Sequence, residues 1–153
     1  MKIKSISLEN FKSFKHAHID LSGLQSPILI TGENRDEVGA SSNGAGKTAG
    51  IMDSITWALF GTTPTLEAIE DVIRTDEDCC QADITFDTQL GNIRIVRERF
   101  MNGRKSLIVE INGTAIKENT DTAVQERFLK LIGYPLMNKN RFDDFLNTVY
   151  LST

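Results

Sequence analysis

Gly44, Gly46, Lys47 and Thr48 carry the clearest chemistry in this chain. The segment Asn43-Gly44-Ala45-Gly46-Lys47-Thr48 is a glycine-rich turn that opens onto a helical pattern, the arrangement of a phosphate cradle. Glycines let backbone N–H groups turn inward where a Cβ would intrude, and the helix that follows adds the positive end of its dipole. In that chemistry Lys47 reaches the β- and γ-phosphates and the Thr48 hydroxyl ligates Mg²⁺. The strict motif, G-x-x-x-x-G-K-[ST], has a glycine where Ser41 stands here. Its context is nevertheless the expected one, because the apolar run Pro27-Ile28-Leu29-Ile30-Thr31 predicts a strand before the loop and a helix follows it.

The elements that must position this loop come on either side. Gly32-Glu33-Asn34 begins like a phosphate loop, so residues 35–42, small and charged, read as an insertion. It suits an exposed flap, either a tolerated extension or a functional lid. Upstream, residues 2–8 and 17–21 predict two short strands of a hairpin, with Ile3 out of phase with Ile6 and Leu8 and hence a candidate bulge. Lys12, near the hairpin's tip, reads by itself as a solvated turn lysine. Downstream, Ile51, Met52, Ile55, Ala58 and Leu59 fall at helical spacing over 48–60, and Gly61 stops the helix. Trp57 and Phe60 widen its apolar face, so more than one side should be covered. Thr63-Pro64-Thr65 starts a further short helical pattern, with Glu67 near its positive end and Leu66, Ile69 and Ile73 inward.

Residues 82–86 alternate cleanly, as do parts of 93–100 and 106–111. Gly91, Asn102-Gly103 and Asn112-Gly113 supply the turns of an antiparallel meander. It carries Arg94, Arg97, Arg99, Arg104 and Lys105, with Arg97 and Arg99 on one face, expected to be a solvated face rather than a nucleic-acid contact. Thr122-x-x-Gln125 is a capping box for an amphipathic helix through Val124, Phe128, Leu131 and Ile132 that Gly133 ends. A short helix near 141–146 and a strand-like 149–151 complete the reading.

At 153 residues, with 40% hydrophobic and 25% charged residues, the chain fits one globular domain with a real core and is not disordered. No apolar run approaches the roughly 20 residues of a membrane span, and the N-terminus lacks a signal-peptide core, so a cytoplasmic protein is expected. Cys79 and Cys80 are adjacent and cannot staple the fold to itself. His16 and His18 share a strand face with no third metal ligand nearby. A net charge of -4 argues against the whole surface serving as a nucleic-acid footprint, so any such binding must come from local patches or from a partner.

Taken together, these pieces resemble the N-terminal lobe of SMC-type ATPase heads, most closely the SbcC-type enzymes of DNA double-strand-break repair and recombination. The resemblance runs the length of the chain. It is carried by Ile6-Ser7-Leu8-Glu9-Asn10-Phe11-Lys12-Ser13-Phe14, by residues 43–48, by Asp53-Ser54-Ile55 and Leu59-Phe60-Gly61, and by Phe145-Leu146-Asn147-Thr148-Val149-Tyr150. It implies an α/β P-loop NTPase lobe, a mixed sheet around the P-loop helix plus an antiparallel meander, with residues 1–153 as one incomplete lobe of a head. It also implies ATP and Mg²⁺ as cofactors. Asn43, Gly44, Ala45, Gly46, Lys47, Thr48 and Ala49 would cradle the phosphates. Lys12, with Ser13 beside it, matches a basic residue that touches phosphate, and Ile73-Arg74-Thr75 match a segment beside the nucleotide. Lys47 would be catalytic and Thr48 the metal ligand. The implied partners are the C-terminal lobe, which holds the signature motif, Walker B aspartate and catalytic glutamate, a second head in a homodimer, an SbcD-type nuclease and double-stranded DNA. Thr153 stands where the family places a glutamine beside Mg²⁺ and is not assigned a role.

Two rival readings stay open. A self-contained P-loop kinase would need an acidic Mg²⁺ ligand after an apolar strand, which is not found. A non-catalytic nucleic-acid module on the arginine-bearing meander would need stacking aromatics beside the arginines, and these too are missing.

Overall fold

The computed structural model of the protein describes residues 2–24, 46, 48–64 and 68–133. Its frame is a six-stranded antiparallel sheet in the order β2-β1-β3-β4-β5-β6. The strands are β1 (Lys2–Phe11), β2 (Phe14–Asp20), β3 (Cys79–Thr88), β4 (Gly91–Phe100), β5 (Lys105–Ile111) and β6 (Thr114–Ala115). As expected, the N-terminal hairpin and the meander together make this antiparallel sheet, because β3 pairs with both β1 and β4. The strand at 27–31 that a mixed sheet requires lies outside the described residues, as do the insertion at 35–42, the helix near 141–146 and the end at 149–151.

Period-2 burial explains the sheet. Every second residue of β3 from Cys80 to Phe86 is buried, and Ile6, Ile84, Ile95 and Val109 line up across four strands as register partners. Each such side chain contributes about 1.5–3 kcal/mol when fully buried. The register of β1 on β3 shifts between Ile3 and Ser5, the expected bulge, which brings Ile6 and Leu8 into phase with the core. Asn112-Gly113 closes β5 onto β6 with both residues at positive φ, 51° and 79°, the backbone a tight two-residue hairpin needs.

The helical layer covers the apolar face. A wide π-helical turn, Thr48–Asp53, runs into α1 (Ser54–Phe60), which lies against β1, β3 and β4. Ser54, Ile55, Thr56, Trp57, Ala58 and Leu59 are all buried, so α1 is covered nearly all round, as Trp57 and Phe60 predict. Two hydroxyls in this stretch bond back to the wide turn. Ser54 Oγ donates to Gly50 O (2.9 Å) and Ile51 O (3.0 Å), and Thr56 Oγ1 to Met52 O and Asp53 O (both 3.1 Å). Trp57 packs on Phe11 with ring centroids 5.3 Å apart and planes tilted by 45°, which ties α1 to the tip of the first hairpin.

The far end of α1 is closed by Gly61, left-handed at φ 75°, whose N–H donates to Trp57 O. Arg97 of β4 sits beneath it. Arg97 Nε donates to Ala58 O (3.1 Å) and Nη2 to Gln125 Oε1 (2.7 Å), while Gln125 Nε2 donates to Phe60 O (3.4 Å). Burial pushes the guanidinium down to about 10, so it remains charged at neutral pH, facing the negative end of the helix.

Three expectations are corrected here. Helix α2 (Asp121–Leu131) is capped by Thr120, whose hydroxyl accepts from Ala123 N (3.2 Å), not by Thr122, because Gln125 is drawn to Arg97 instead of back to its own helix. Among the described residues before β3 the helical pattern is a 3₁₀ turn, Ile69–Val72, in which Ile69 is 45% exposed and not inward, while Ile73 is buried as expected; Thr65, Leu66 and Glu67 lie outside the described residues. Arg97 and Arg99 do not form a solvated face: Arg97 holds α1 and α2, and Arg99 Nη2 reaches Glu70 Oε1 at 2.6 Å.

Candidate functional site

The tip of the first hairpin, the start of the π turn and the segment after the 3₁₀ turn converge. Phe11 and Phe14 pair across a two-residue connection, and Lys12 within it is left-handed at φ 50°. Its backbone is pinned from outside the hairpin: Lys12 N donates to Val72 O and Arg74 N to Asn10 O, both at 2.8 Å, around a bridge between Phe11 and Ile73. Two stretches about 60 residues apart in the chain thus form one short ladder.

The hairpin tip also presses on the start of the helix. Gly46 is left-handed at φ 72°, and Gly50 N donates to Gly46 O at 2.7 Å. A Cβ at Gly46 would lie 2.8 Å from Phe14 Cζ and 3.5 Å from Ser13 Oγ, and one at Gly50 would lie 2.9 Å from the same ring. Phe14 therefore seats on bare backbone at both positions, and neither glycine can gain a side chain without moving the ring. Lys12 Nζ meets Asp53 Oδ2 at 2.5 Å, with Asp53 2% exposed and the lysine side chain 16% exposed.

Of the residues that sequence reasoning assigns to the nucleotide, Lys12, Ser13, Gly46, Ile73 and Arg74 are brought together. Thr48 and Ala49 stand in the first turn of the helix. Thr75 follows Arg74 on the exposed side, and Arg74 lies 4.0 Å from Glu77. Asn43, Gly44, Ala45 and Lys47 lie outside the described residues. Sequence reasoning assigned no role to Asp53, Phe14 or Gly50. Asp53 had a signal: an acidic side chain inside an apolar helical pattern needs a partner when buried.

The geometry suits phosphate. A left-handed glycine at the head of a helix, where a Cβ would be obstructed, is the backbone a cradle needs, and Ser13 and Phe14 of the hairpin tip lie against it. Among the described residues no group of three or more His, Cys, Asp or Glu side chains is placed to hold a metal ion. On the outer face of the sheet two of the basic side chains are neutralised by carboxylates. Arg94 is held by Asp83 (2.7 Å) and Glu110 (3.5 Å), and Lys4 by Asp87 (3.0 Å). Among the described residues no helix is long and apolar enough to cross a membrane.

A family described as AAA domain matches residues 5–150. Curated proteins show no sequence match. Among solved structures, the recombination mediator protein RecF of the RecFOR pathway, as RecF-ATP, aligns with a TM-score of 0.55 at 16% identity, over 95% of this chain and 41% of that one. A second RecF structure aligns at 0.53 and 15%, over 83% and 29%. An SMC head bound to the C-winged helix domain of ScpA aligns at 0.58 and 20%, over 92% and 43%. The fold is that of these ATPase heads, and the chain spans less than half the length of each.

Proposed function

The chain belongs to the AAA-domain family, and from that premise we propose that it is the ATP-binding half of an SMC- or SbcC-like ATPase head that acts in DNA repair or recombination. The observation that carries this is the convergence of the hairpin tip on the loop–helix junction. Lys12 and Ser13 meet the start of the helix, Gly46 has the left-handed backbone of a cradle, and Ile73-Arg74 are laddered alongside.

In this reading residues 43–46 would offer backbone N–H groups to the phosphates, Lys47 would neutralise the β- and γ-oxygens, and Ala49 would lie at the positive helix end. The Thr48 hydroxyl would hold Mg²⁺, which when bound would supply charge neutralisation for phosphoryl transfer. Lys12 adds a second cation, and Arg74 and Thr75 flank the nucleotide. The water-orienting carboxylate comes from the C-terminal lobe, and the signature motif from a second head, so ATP is sandwiched in a homodimer. Opening and closing of that dimer then governs double-stranded DNA and an SbcD-type nuclease in the cytoplasm. The structural relatives support the nucleotide and the head: the RecF structure is RecF-ATP, and the SMC structure is a head bound to the C-winged helix domain of ScpA.

The test is reconstitution. The 153-residue chain should bind ATP-Mg²⁺ weakly and turn it over negligibly; adding the C-terminal lobe should restore turnover that rises more steeply than linearly with protein concentration. Vigorous hydrolysis by the chain alone, first order in protein and abolished by Lys47→Ala, would instead establish a self-contained P-loop enzyme.

A further inference from the structure

We propose that the groove between the edge strand β6 and helix α2 is a docking site for an extended peptide segment of a partner protein, one that alternates acidic and apolar residues and adds to the sheet as a further strand. The site stands apart from the nucleotide reading and does not depend on it.

Among the described residues β6 ends the sheet on one side. Its register fixes which of its backbone groups are in use. Ile111 pairs with Thr114 across the tight turn, Glu110 stands opposite Ala115, and Ile116 N donates to Val109 O at 2.8 Å. In an antiparallel ladder, hydrogen-bonded and non-hydrogen-bonded pairs alternate. With Ile116 bonded to Val109, the N–H and C=O of exposed Ala115 therefore point outward from the sheet. An outward donor and acceptor on an edge is what an extended peptide pairs with.

Beside that edge lies a groove of about 500 Å³, the size of a binding site. Its walls are apolar: Ile111 and Ile116 are half-buried against the core, and Leu131 is 44% exposed. The two charged side chains that line it, Lys117 and Arg127, are both basic, in a chain of net charge -4. Arg127 meets Glu118 at 2.7 Å, but as an exposed pair that contributes little; Lys117 makes no ion pair among the described residues. A short edge followed by a lysine is also how sheets keep stray strands away. Blunting of that kind accounts for Lys117 and for the two-residue length of β6, and not for the apolar walls beside them. An added strand accounts for all three. Its backbone meets Ala115, every second side chain falls over Ile116 and Leu131, and its carboxylates reach Lys117 and Arg127. A second copy would bring the same two cations to the seam, so charge complementarity selects a different, acidic chain.

Fluorescence anisotropy on the full chain, with a short labelled synthetic peptide of alternating glutamate and valine, tests this. The parent should bind the peptide saturably and lose roughly tenfold in affinity when Lys117→Glu and Arg127→Glu are combined. The same peptide with lysine for glutamate should bind that charge-reversed variant and not the parent, a rescue that a folding defect cannot produce. Ala115→Pro removes an N–H that points away from β5, so the hairpin stays paired; binding should weaken by roughly fivefold at an unchanged melting temperature. No saturable binding by the parent, parent-like affinity in Ala115→Pro, or charge reversal without the swapped preference would each overturn the proposal. Dimerisation of the parent that Ala115→Pro abolishes would overturn it as well, by assigning the edge to a second copy.

Discussion

The helical stretch that follows the phosphate loop is held in opposite ways at its two ends. At its start the backbone is wound wide, and its contacts are an ion pair from Lys12 and the Phe14 ring lying on two glycines. At its finish Gly61 closes the last turn, and a buried guanidinium bonds to one carbonyl and to the glutamine that bonds to another. At the finish, the carbonyls of Trp57, Ala58 and Phe60 are all taken up by donors within the fold. The start is held by contacts that the hairpin tip makes, and it is the end at which the proposed phosphate loop arrives. One helix thus separates anchoring from binding by its ends.

Breaking the anchored end should show the largest effect on stability. Arg97→Ala removes hydrogen bonds to a charged group worth about 1.5–3 kcal/mol each and leaves Ala58 O and Gln125 Oε1 without their donor, so a loss of roughly 2–4 kcal/mol is expected in urea unfolding. The folded fraction should keep parent-like ATP affinity. A loss under about 1 kcal/mol, or a selective loss of affinity, would dissolve the distinction between the ends.

At the binding end, Gly50→Ala should run against helix propensity. Alanine at an ordinary helical position gains about 1 kcal/mol over glycine, but a Cβ here would stand 2.9 Å from Phe14 Cζ, and overpacking costs about 1–3 kcal/mol. A net loss of roughly 1 kcal/mol is expected, recovered when Phe14→Leu is added. Stabilisation by Gly50→Ala alone would mean that Phe14 does not seat there.

The smallest effect belongs to the charges away from both ends. A hydrogen bond from Ser22 holds the Asp20 carboxyl below the usual carboxylate value, Lys4 does the same for Asp87, and Arg99 for Glu70. Each is lower folded than unfolded, so its stabilisation is complete above the unfolded values, 3.8 for aspartate and 4.5 for glutamate, and is lost as pH falls through the folded ones. Melting temperature should therefore decline modestly below about pH 4.5, with the decline shallower in high salt because these groups are exposed.

Local rules made much of this legible. Alternation through 82–86, the Asn112-Gly113 turn and the misphased Ile3 each encode their geometry within a few residues, and the structure has all three. The inward arginines were readable too, since Arg97 and Arg99 share the parity of Ile93 and Ile95, but their charge argued for solvent. What overrode that argument is tertiary: the open carbonyls at the end of α1, and Glu70 on the 3₁₀ turn. The same competition moved the α2 cap from Thr122 to Thr120. Phe14 on Gly46 and Gly50, and Lys12 on Asp53, join elements distant in the chain, so no spacing rule announces them.

The central claim is that the loop before this helix binds nucleotide phosphate, and titration calorimetry of ATP-Mg²⁺ against the full chain and its Lys47→Ala variant tests it most directly. The parent should bind saturably, with Thr48→Ala weakening the response to Mg²⁺. Lys47→Ala should lose at least about tenfold in affinity, the equivalent of 1.4 kcal/mol for a charge-assisted phosphate bond, at an unchanged melting temperature. Equal affinity in parent and Lys47→Ala would contradict the phosphate cradle.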